Sequence, residues 1–367
     1  MAIAAPSIDA LYENLLEKLR DTVPEAELRY KAELAWEINQ LKAERGAVIL
    51  GHNYMEPALF HSVCDFTGDS LELCRKAMET DADPIVFCGV GFMAETAKIL
   101  NPDRKVLLPA KEAGCSLAAS ITADDVRALK ARFPGVPVVT YINTYADVKA
   151  ETDICCTSGN AARVVASLES DTVIFIPDEY LARNVARETG KRIIVPSVHS
   201  TNGGGPALVT LEAANGGAGA NGGPEATSDT IVGWGGRCEV HDQFTVQDVR
   251  DVRAQFPDVV VLAHPECRPE VVEAADFSGS TSKMLEYVRK IDAPRYLLLT
   301  ECSMGDNIAA EMPHREMLRL CTVRCPHMNM ITLEGVLEAL REDRYEVEVP
   351  EPVRSRARRS IERMLAI

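Results

Sequence analysis

Several features that would place this chain quickly are missing. Met1-Ala-Ile-Ala-Ala-Pro-Ser-Ile-Asp9 has no basic segment followed by an apolar one, so no signal peptide is expected. No apolar run approaches the roughly 20 residues of a membrane span. The expected location is cytoplasmic. There is no Gly-rich phosphate loop and no Gly-x-Gly-x-x-Gly; the glycines of 203–223 lack a strand–turn–helix setting. Positive charge is scarce, with 39 Lys+Arg against 55 Asp+Glu, a net charge of −16. That argues against a nucleic-acid or anionic-membrane partner. Small anionic substrates remain open, because they need only local positive potential. Nothing marks a disulfide framework: the cysteines number eleven, are scattered, and sit in a chain large enough not to need bridges.

What is present is ordinary for a soluble globular protein, 46% hydrophobic and 26% charged. A length of 367 residues suggests two or three sub-domains. Residues 8–45 carry helical spacing, with Leu11, Leu15, Leu16 and Leu19, then Leu34, Ile38 and Leu41, and Gly46 as the stop. Ala47–Gly51 is a short buried strand that ends at His52-Asn53-Tyr54. The same grammar returns twice. Helix Thr122–Phe133 is ended by Pro134-Gly135, and strand Val136–Tyr141 leads to Asn143. Helix Val246–Phe256 is ended by Pro257-Asp258, and strand Val259–Ala263 leads to His264-Pro265-Glu266.

The three strand ends lie about 91 and about 121 residues apart, and removing a Gly-, Ala- and Asn-rich stretch at 202–229 equalises the intervals. That stretch reads as an insertion of flexible-linker composition. Each repeat continues with a hydroxyl-rich cluster that opens a helix: Thr67–Ser70, Thr157–Asn160 and Gly279–Ser282. A second strand follows (Pro84–Cys88, Thr172–Pro177, Tyr296–Thr300). A third is predicted in the first two repeats only, at Val106–Leu108 and Arg192–Val195. Each repeat closes on a cysteine: Cys115, Cys238 or Cys325. Helices alternating with short apolar strands imply small parallel sheets. The expected fold is α/β, with three homologous three-layer α/β/α domains around a pseudo-threefold axis. The boundaries are 1–115, 116–238 (including the insertion) and 239–340, with the basic C-terminal helix in 341–367 packing back on the first unit.

Three cysteines at equivalent repeat positions suggest one shared site. Three thiolates would hold three irons of a four-iron cubane and leave the fourth open, where iron–sulfur ligation normally takes four cysteines. An open iron is a Lewis acid rather than an electron carrier. Three buried structural thiols are the alternative. Cys321, Cys325 and His327 look finger-like but lack a second pair at zinc spacing. In Trp234–His241, Gly235 and Gly236 are read as bringing the backbone past the open face of a cluster, with Cys238 as ligand and His241 turned to substrate. The hydroxyl clusters are ordinary N-caps taken singly. Taken together they form three helix N-termini able to hold carboxylate or phosphate. His52, Tyr54, Tyr141, Asn143, His264 and Glu266 lie just past strand ends, where parallel α/β sheets bind ligands. They supply imidazoles, phenols and a carboxylate for proton transfer.

These stretches resemble the quinolinate synthase family. The matching segments are Gly51–Tyr54, Asp65–Ser70, Gly91–Leu100, Gly114–Ser116, Asp153–Ser158, Cys238–His241, His264–Cys267, Gly279–Thr281 and Cys325–Met328, in order over residues 30–340. The resemblance implies three α/β domains around a 4Fe–4S cluster held by Cys115, Cys238 and Cys325. It implies condensation of iminoaspartate with dihydroxyacetone phosphate to quinolinate, with loss of phosphate and two waters, in de novo NAD biosynthesis. A transient contact with an oxidase or dehydrogenase that makes iminoaspartate is a further expectation. Substrate residues carry over onto His52, Tyr54, Ser70, Tyr141, Asn143, Ser158, His241, His264, Glu266, Ser280 and Thr281, with Tyr54, Tyr141, His264 and Glu266 as the catalytic candidates. Two departures stand out. Cys321 is four residues before Cys325, where some relatives have Cys-x2-Cys-x2-Cys, and the 202–229 stretch lies outside the family pattern. Another iron–sulfur hydro-lyase and a non-enzymatic iron or redox sensor are the competing readings.

Overall fold

The computed structural model describes residues 5–199, 208–213, 230–320 and 323–367. Cys321 and most of the 202–229 stretch fall outside these residues.

The first unit runs α1 (Ile8–Leu19), α2 (Glu25–Arg45), β1 (Val48–His52), α3 (Pro57–Ser62), β2 (Phe66–Gly68), α4 (Ser70–Glu79), β3 (Ile85–Cys88), α5 (Gly91–Leu100) and β4 (Val106–Leu107). The second runs α6 (Ala123–Arg132), β5 (Val138–Tyr141), α7 (Ala146–Ala150), β6 (Ile154–Cys156), α8 (Ala161–Ala166), β7 (Thr172–Ile176), α9 (Glu179–Thr189), β8 (Arg192–His199), β9 (Leu208–Ala213) and β10 (Thr230–Val232). The third runs α10 (Val246–Gln255), β11 (Val259–Ala263), α11 (Pro269–Ala274), β12 (Phe277–Ser278), α12 (Thr281–Lys290), β13 (Arg295–Leu299), α13 (Cys302–Glu311) and β14 (Glu316–Leu318). Helices α14 (Leu333–Glu342) and α15 (Val353–Leu365) follow. No helix among the described residues is long and apolar enough to cross a membrane.

The sheets are ordered β2-β1-β3-β4, β6-β5-β7-β10-β8-β9 and β12-β11-β13-β14, and every pairing is parallel except β8 with β9. The first strand of each unit is central and β1, β5 and the greater part of β11 are fully buried, as expected of apolar strands covered by helices on both faces. The fold class is therefore the expected one, with three differences. A third strand, β14, exists in the third unit as well. Short edge strands β2, β6 and β12 lead into the hydroxyl-rich clusters. In the second unit the slot beside β7 is filled by β10, not by the strand at Arg192–Val195. That strand begins β8, which pairs outside β10 and turns into antiparallel β9 within the stretch expected to be linker. The extra chain thus enlarges the sheet edge, and β10 takes the place that β4 and β14 hold in the other units.

The end of the chain also packs differently from expectation. Each ligand-candidate cysteine is followed by a 3-10 turn and then, at the same interval, by a threonine whose hydroxyl caps a helix: Thr122 on α6, Thr245 on α10 and Thr332 on α14. Helix α14 packs on α2 and β3, so the chain's end is tied to the first unit. Gly335 makes this approach feasible, since a Cβ there would lie 2.8 Å from Pro109 O. Residues 345–347 then extend along β4 through Leu108 N→Tyr345 O and Val347 N→Val106 O. Helix α15 was expected on the first unit. It packs mainly on α7 and β6 of the second, touching α5 of the first as well. Its buried stripe Ala357, Ser360, Ile361 and Met364 requires an apolar seat. The edge strand β6 and the five-residue α7 offer one, with Ser360 Oγ donating to Lys149 O and Arg363 to Asp153 O.

Candidate active site

The carboxyl ends of β1, β5 and β11 face one cavity of about 730 Å³, counted to include its mouth. Its walls bring together residues from all three units. His52, Tyr54 and Ser70 come from the first; Tyr141, Asn143 and Ser158 from the second; His241, His264, Glu266 and Thr281 from the loop after Cys238 and the third. Cys115, Cys238 and Cys325 line the same space. Ser280 does not line it. It caps α12 by accepting from Lys283 N and stands behind Thr281.

The polar side chains form one network. Glu266 Oε2 lies 3.1 Å from His241 Nδ1 and 3.1 Å from His264 Nδ1, and the two imidazoles stack at 4.4 Å. His241 Nε2 is 3.0 Å from Thr300 Oγ1 and 3.5 Å from Tyr54 OH, and Thr300 Oγ1 also bonds Tyr54 OH. Thr300 is the residue after β13, so it connects the first unit's tyrosine to the loop after Cys238. His52 Nδ1 accepts from Tyr54 N (3.2 Å), which leaves Nε2 carrying the proton. Asn53 crosses to the third unit, donating from Nδ2 to Thr281 Oγ1 at 2.9 Å. Among the described residues, the cavity lining contains no Lys or Arg. Anions there must be met by hydroxyls, amides, imidazoles and the N-terminus of α12 at Thr281, because the Asp69 carboxylate already takes the Leu71 and Glu72 amides of α4.

Burial sets the protonation states. His52 is pushed down to about 3 by burial and then by His264, so its imidazole is neutral. Burial and His264 likewise lower His241. Burial raises the Tyr54 and Tyr141 phenols well above their ordinary value, and the Glu266 charge adds to both. Burial also opposes a charge on Glu266, but contact with His241 and His264 outweighs it and holds the carboxyl below its usual range. The site therefore offers one carboxylate as proton acceptor, with neutral phenols and imidazoles as donors.

The three cysteines share one local geometry. Each begins a turn whose backbone N–H groups point back at its sulfur: Ala118 and Leu117 at Cys115, His241 and Val240 at Cys238, Met328 and His327 at Cys325. Among the described free cysteines these three alone are partly exposed; the others are buried. Burial nonetheless raises all three, Cys115 to about 12 and Cys325 to about 11, and neighbouring thiols and carboxylates add to it. Thiols oriented by amide donors, facing one space without a cationic side chain, fit a bound metal group that would supply the missing positive charge. Cys238, His241 and Glu266 alone would also suit a single ion, with ligand atoms within 4.8 Å of one another, but that set uses one thiol of three.

The model of the NadA family, described as quinolinate synthetase A protein, matches residues 36–366. A protein named quinolinate synthase 2 from Mesorhizobium japonicum is 51% identical over 330 residues, 90% of each chain. Quinolinate synthase of Agrobacterium fabrum is 49% identical over 354 residues, 96% of this chain and 91% of its own. Quinolinate synthase 1 of M. japonicum is 48% identical over 367 residues, 100% of both chains.

This chain belongs to the quinolinate synthetase A protein family. It is an enzyme built of α/β units.

Some residues of the site were not legible in the sequence. Thr300 looks like the end of a strand. Asp178, wholly buried at the N-cap of α9, accepts from Leu181 N at Oδ1 and leaves Oδ2 without a hydrogen bond; burial and the Glu266 charge raise its carboxyl well above the usual range. Glu239 joins the three cysteine loops at the cavity mouth, accepting from Ser116 Oγ at 2.9 Å and lying 3.2 Å from His327 Nε2. Adjacency to the cysteines in sequence was the available signal for this last set. The glycines before Cys238 have a different task from the expected one. A Cβ at Gly236 would lie 2.5 Å from Pro177 O and 2.6 Å from Ser120 Oγ, while Gly235 has nothing within 4 Å. Gly236 lets the loop bridge to Asp178 and accept Glu179 N at 2.8 Å. It anchors the Cys238 loop to β7's end and does not face the cavity.

Proposed function

We propose that the enzyme condenses iminoaspartate with dihydroxyacetone phosphate to quinolinate, with loss of phosphate and two waters, and so feeds NAD biosynthesis. We further propose that Cys115, Cys238 and Cys325 hold a 4Fe–4S cluster with one iron open. When bound, that cluster would supply Lewis acidity toward a carboxylate or a departing hydroxyl. The observation that carries the reading is the convergence of three equivalent thiols, one closing each unit, on the cavity where the strand-end residues meet.

The chain's own residues have separable tasks. Ser70 and Thr281, at the first turns of α4 and α12, and Asn143 and Ser158 would orient the carboxylates and phosphate. Glu266, charged and held by two imidazoles, would take the proton in the ketose–aldose isomerisation. Tyr54 and Tyr141 keep their protons at neutral pH and would donate to leaving oxygen. His52, neutral with its Nε2 proton, is a hydrogen-bond donor and not a counter-charge. Near-complete burial of this set keeps water from competing for those protons.

Anaerobic purification with an iron count tests the centre of the reading. About four irons per chain are expected, with loss of iron and of visible absorption in Cys238→Ser. Quinolinate and phosphate should form together from the two substrates. Protein that stays colourless after cluster reconstitution would sink the proposal, and turnover without phosphate release would favour a hydro-lyase.

A further inference from the structure

Helix α7 carries a lysine that no step of the proposed reaction uses. Lys149 is 0% exposed and is among the largest side chains shut wholly inside the protein. Burying an ammonium is costly, so the groups around it are informative. Its Nζ donates to Thr144 O and stands 5.5 Å from the centroid of the Phe92 ring. Phe92 and Glu95 lie three apart on α5 and share a face, and Glu95 Oε2 accepts Ala146 N, at the start of α7, at 2.8 Å. A carbonyl, an aromatic face and a carboxylate are the surroundings of a cation. Burial lowers the ammonium from its ordinary value, and Cys155 and Glu95 work against that.

This position faces the back of the cavity. Phe92 is a wall residue, and so is Asn143, next to the Thr144 carbonyl that Lys149 holds. Among the described residues, the lining itself has no Lys or Arg. The ammonium therefore sits one side chain behind the wall, in a low-dielectric interior where a charge is screened less than at a surface. Little beside it cancels that charge. Burial pushes the neighbouring thiols up, Cys74 to about 12 and Cys155 to about 11, so both are neutral. Asp147 is exposed and screened by water. Glu95, half-buried in the contact between α5 and α7, is left as the counter-charge.

We propose that Lys149 is the charge-supplying residue of the active site: from behind Phe92 and Asn143 its ammonium, partly balanced by Glu95, provides the positive potential that draws an oxyanion (a carboxylate or phosphate group) into a cavity lined without cations. That the cavity's ligands are oxyanions rests on the reaction proposed above. A lysine that only pinned the turn after β5, through its bond to Thr144 O, would serve charged and uncharged ligands alike.

Calorimetric titration of the full-length holoenzyme, kept anaerobic, with malonate and separately with inorganic phosphate tests the assignment, one probe for each kind of oxyanion. Lys149→Met keeps the apolar stem and removes the charge, and affinity should fall by about three- to tenfold. Glu95→Gln keeps an oxygen for Ala146 N and removes the balancing charge, and affinity should rise by about the same factor. Opposite signs are the decisive feature. Loss of packing in the α5–α7 contact moves both variants the same way, and an anion bound on the outer surface responds to neither. If Lys149→Met does not fold, Glu95→Gln decides alone, because a lost contact does not tighten binding. Glu95→Gln without a gain of about twofold, a folded Lys149→Met within about twofold of the unaltered protein, or no binding of either anion by the unaltered protein overturns the proposal. Quinolinate formation is scored separately: its absence with the opposite shifts intact overturns the reaction and leaves this assignment standing, and its presence without them does the reverse.

Discussion

Replacing Thr300 by valine removes one oxygen and almost no volume, so its effect isolates a hydrogen-bond hub. Thr300 Oγ1 serves two groups from different units, Tyr54 OH and His241 Nε2, and all three side chains are buried. Without the hydroxyl the phenol and the ring nitrogen keep only each other, at 3.5 Å, beyond a good hydrogen bond. Leaving a buried polar group unpaired costs about 1–3 kcal/mol. If neither side chain moves, two stranded groups cost about 2–6 kcal/mol in all. Chemical denaturation should show this as a lower midpoint with an unchanged slope. Tyr54 is also a proposed proton donor, and losing its anchor should lower kcat by about 10–100-fold, the usual effect of a small misplacement of a reacting group. Thr300→Ser, which restores the oxygen, should recover most of both. A valine variant with the parent's midpoint and turnover within twofold would refute the claim that this hydroxyl organises the site.

Three further outcomes follow from packing and burial. Gly236→Ala should destabilise by about 1–3 kcal/mol, the range for overpacking, because its Cβ would press on Pro177 O and Ser120 Oγ; Gly235→Ala, with open space, should not. Equal melting behaviour of the two alanine variants would contradict the anchoring role. His61 is pushed down to about 3, first by burial and then by Lys18, so it is neutral when folded. The unfolded chain then binds more protons below the ordinary histidine value. Stability present above about 6.5 should fall as pH drops toward 3, by up to about 1.4 kcal/mol per pH unit. Denaturation at a series of pH values should show that slope flattened in His61→Gln. Asp178 is shifted the other way, raised by burial and by Glu266, so the folded state holds its proton and stability falls as pH rises above the ordinary carboxyl range. Asp178→Asn retains a side-chain oxygen for Leu181 and removes that loss. It should be as stable as the parent or more so at pH 8, and a deficit above about 2 kcal/mol would show that the carboxyl is charged and paired.

What the sequence made legible is what local chemistry writes. Helices such as α6 and α10 announce themselves by a threonine cap, an apolar stripe and a Pro-Gly or Pro-Asp stop, and β1, β5 and β11 by unbroken apolar runs. Because that grammar occurs three times, the repeat and the strand-end residues were readable too. The edge strands β2, β6 and β12 were not, being two or three residues long and paired on one side only. The order of β8 and β10 was not, because either segment satisfies the pattern and only tertiary pairing selects β10 for the slot beside β7. Thr300, Asp178 and Glu239 escaped for another reason. Each matters through partners in a different unit, and nothing in a strand-end threonine or an N-cap aspartate signals what lies across an interface.

The packing of the end of the chain bears on why the cavity has three complete walls. Helix α2 opens the first unit as α6 and α10 open the others: Lys42, Lys130 and Arg253 reach Asp65, Asp153 and Asp276, whose carboxylates accept Ile49 N, Val138 N and Val261 N. Helix α14, capped by Thr332 after Cys325, packs as an additional helix against α2 and β3, so the last repeat's cysteine loop is tied to the first repeat's sheet. Arg45 at the end of α2 reinforces the junction by reaching Leu340 O and the Asp343 carboxylate. Each cysteine turn is thereby clamped between two units: Cys115 before α6, Cys238 before α10 and Cys325 before α14. The same closure explains why the cavity can do without cationic side chains. Its walls are strand ends and helix starts whose amides and hydroxyls already point inward, and closing the ring buries them enough that a neutral donor is worth more than it would be in water.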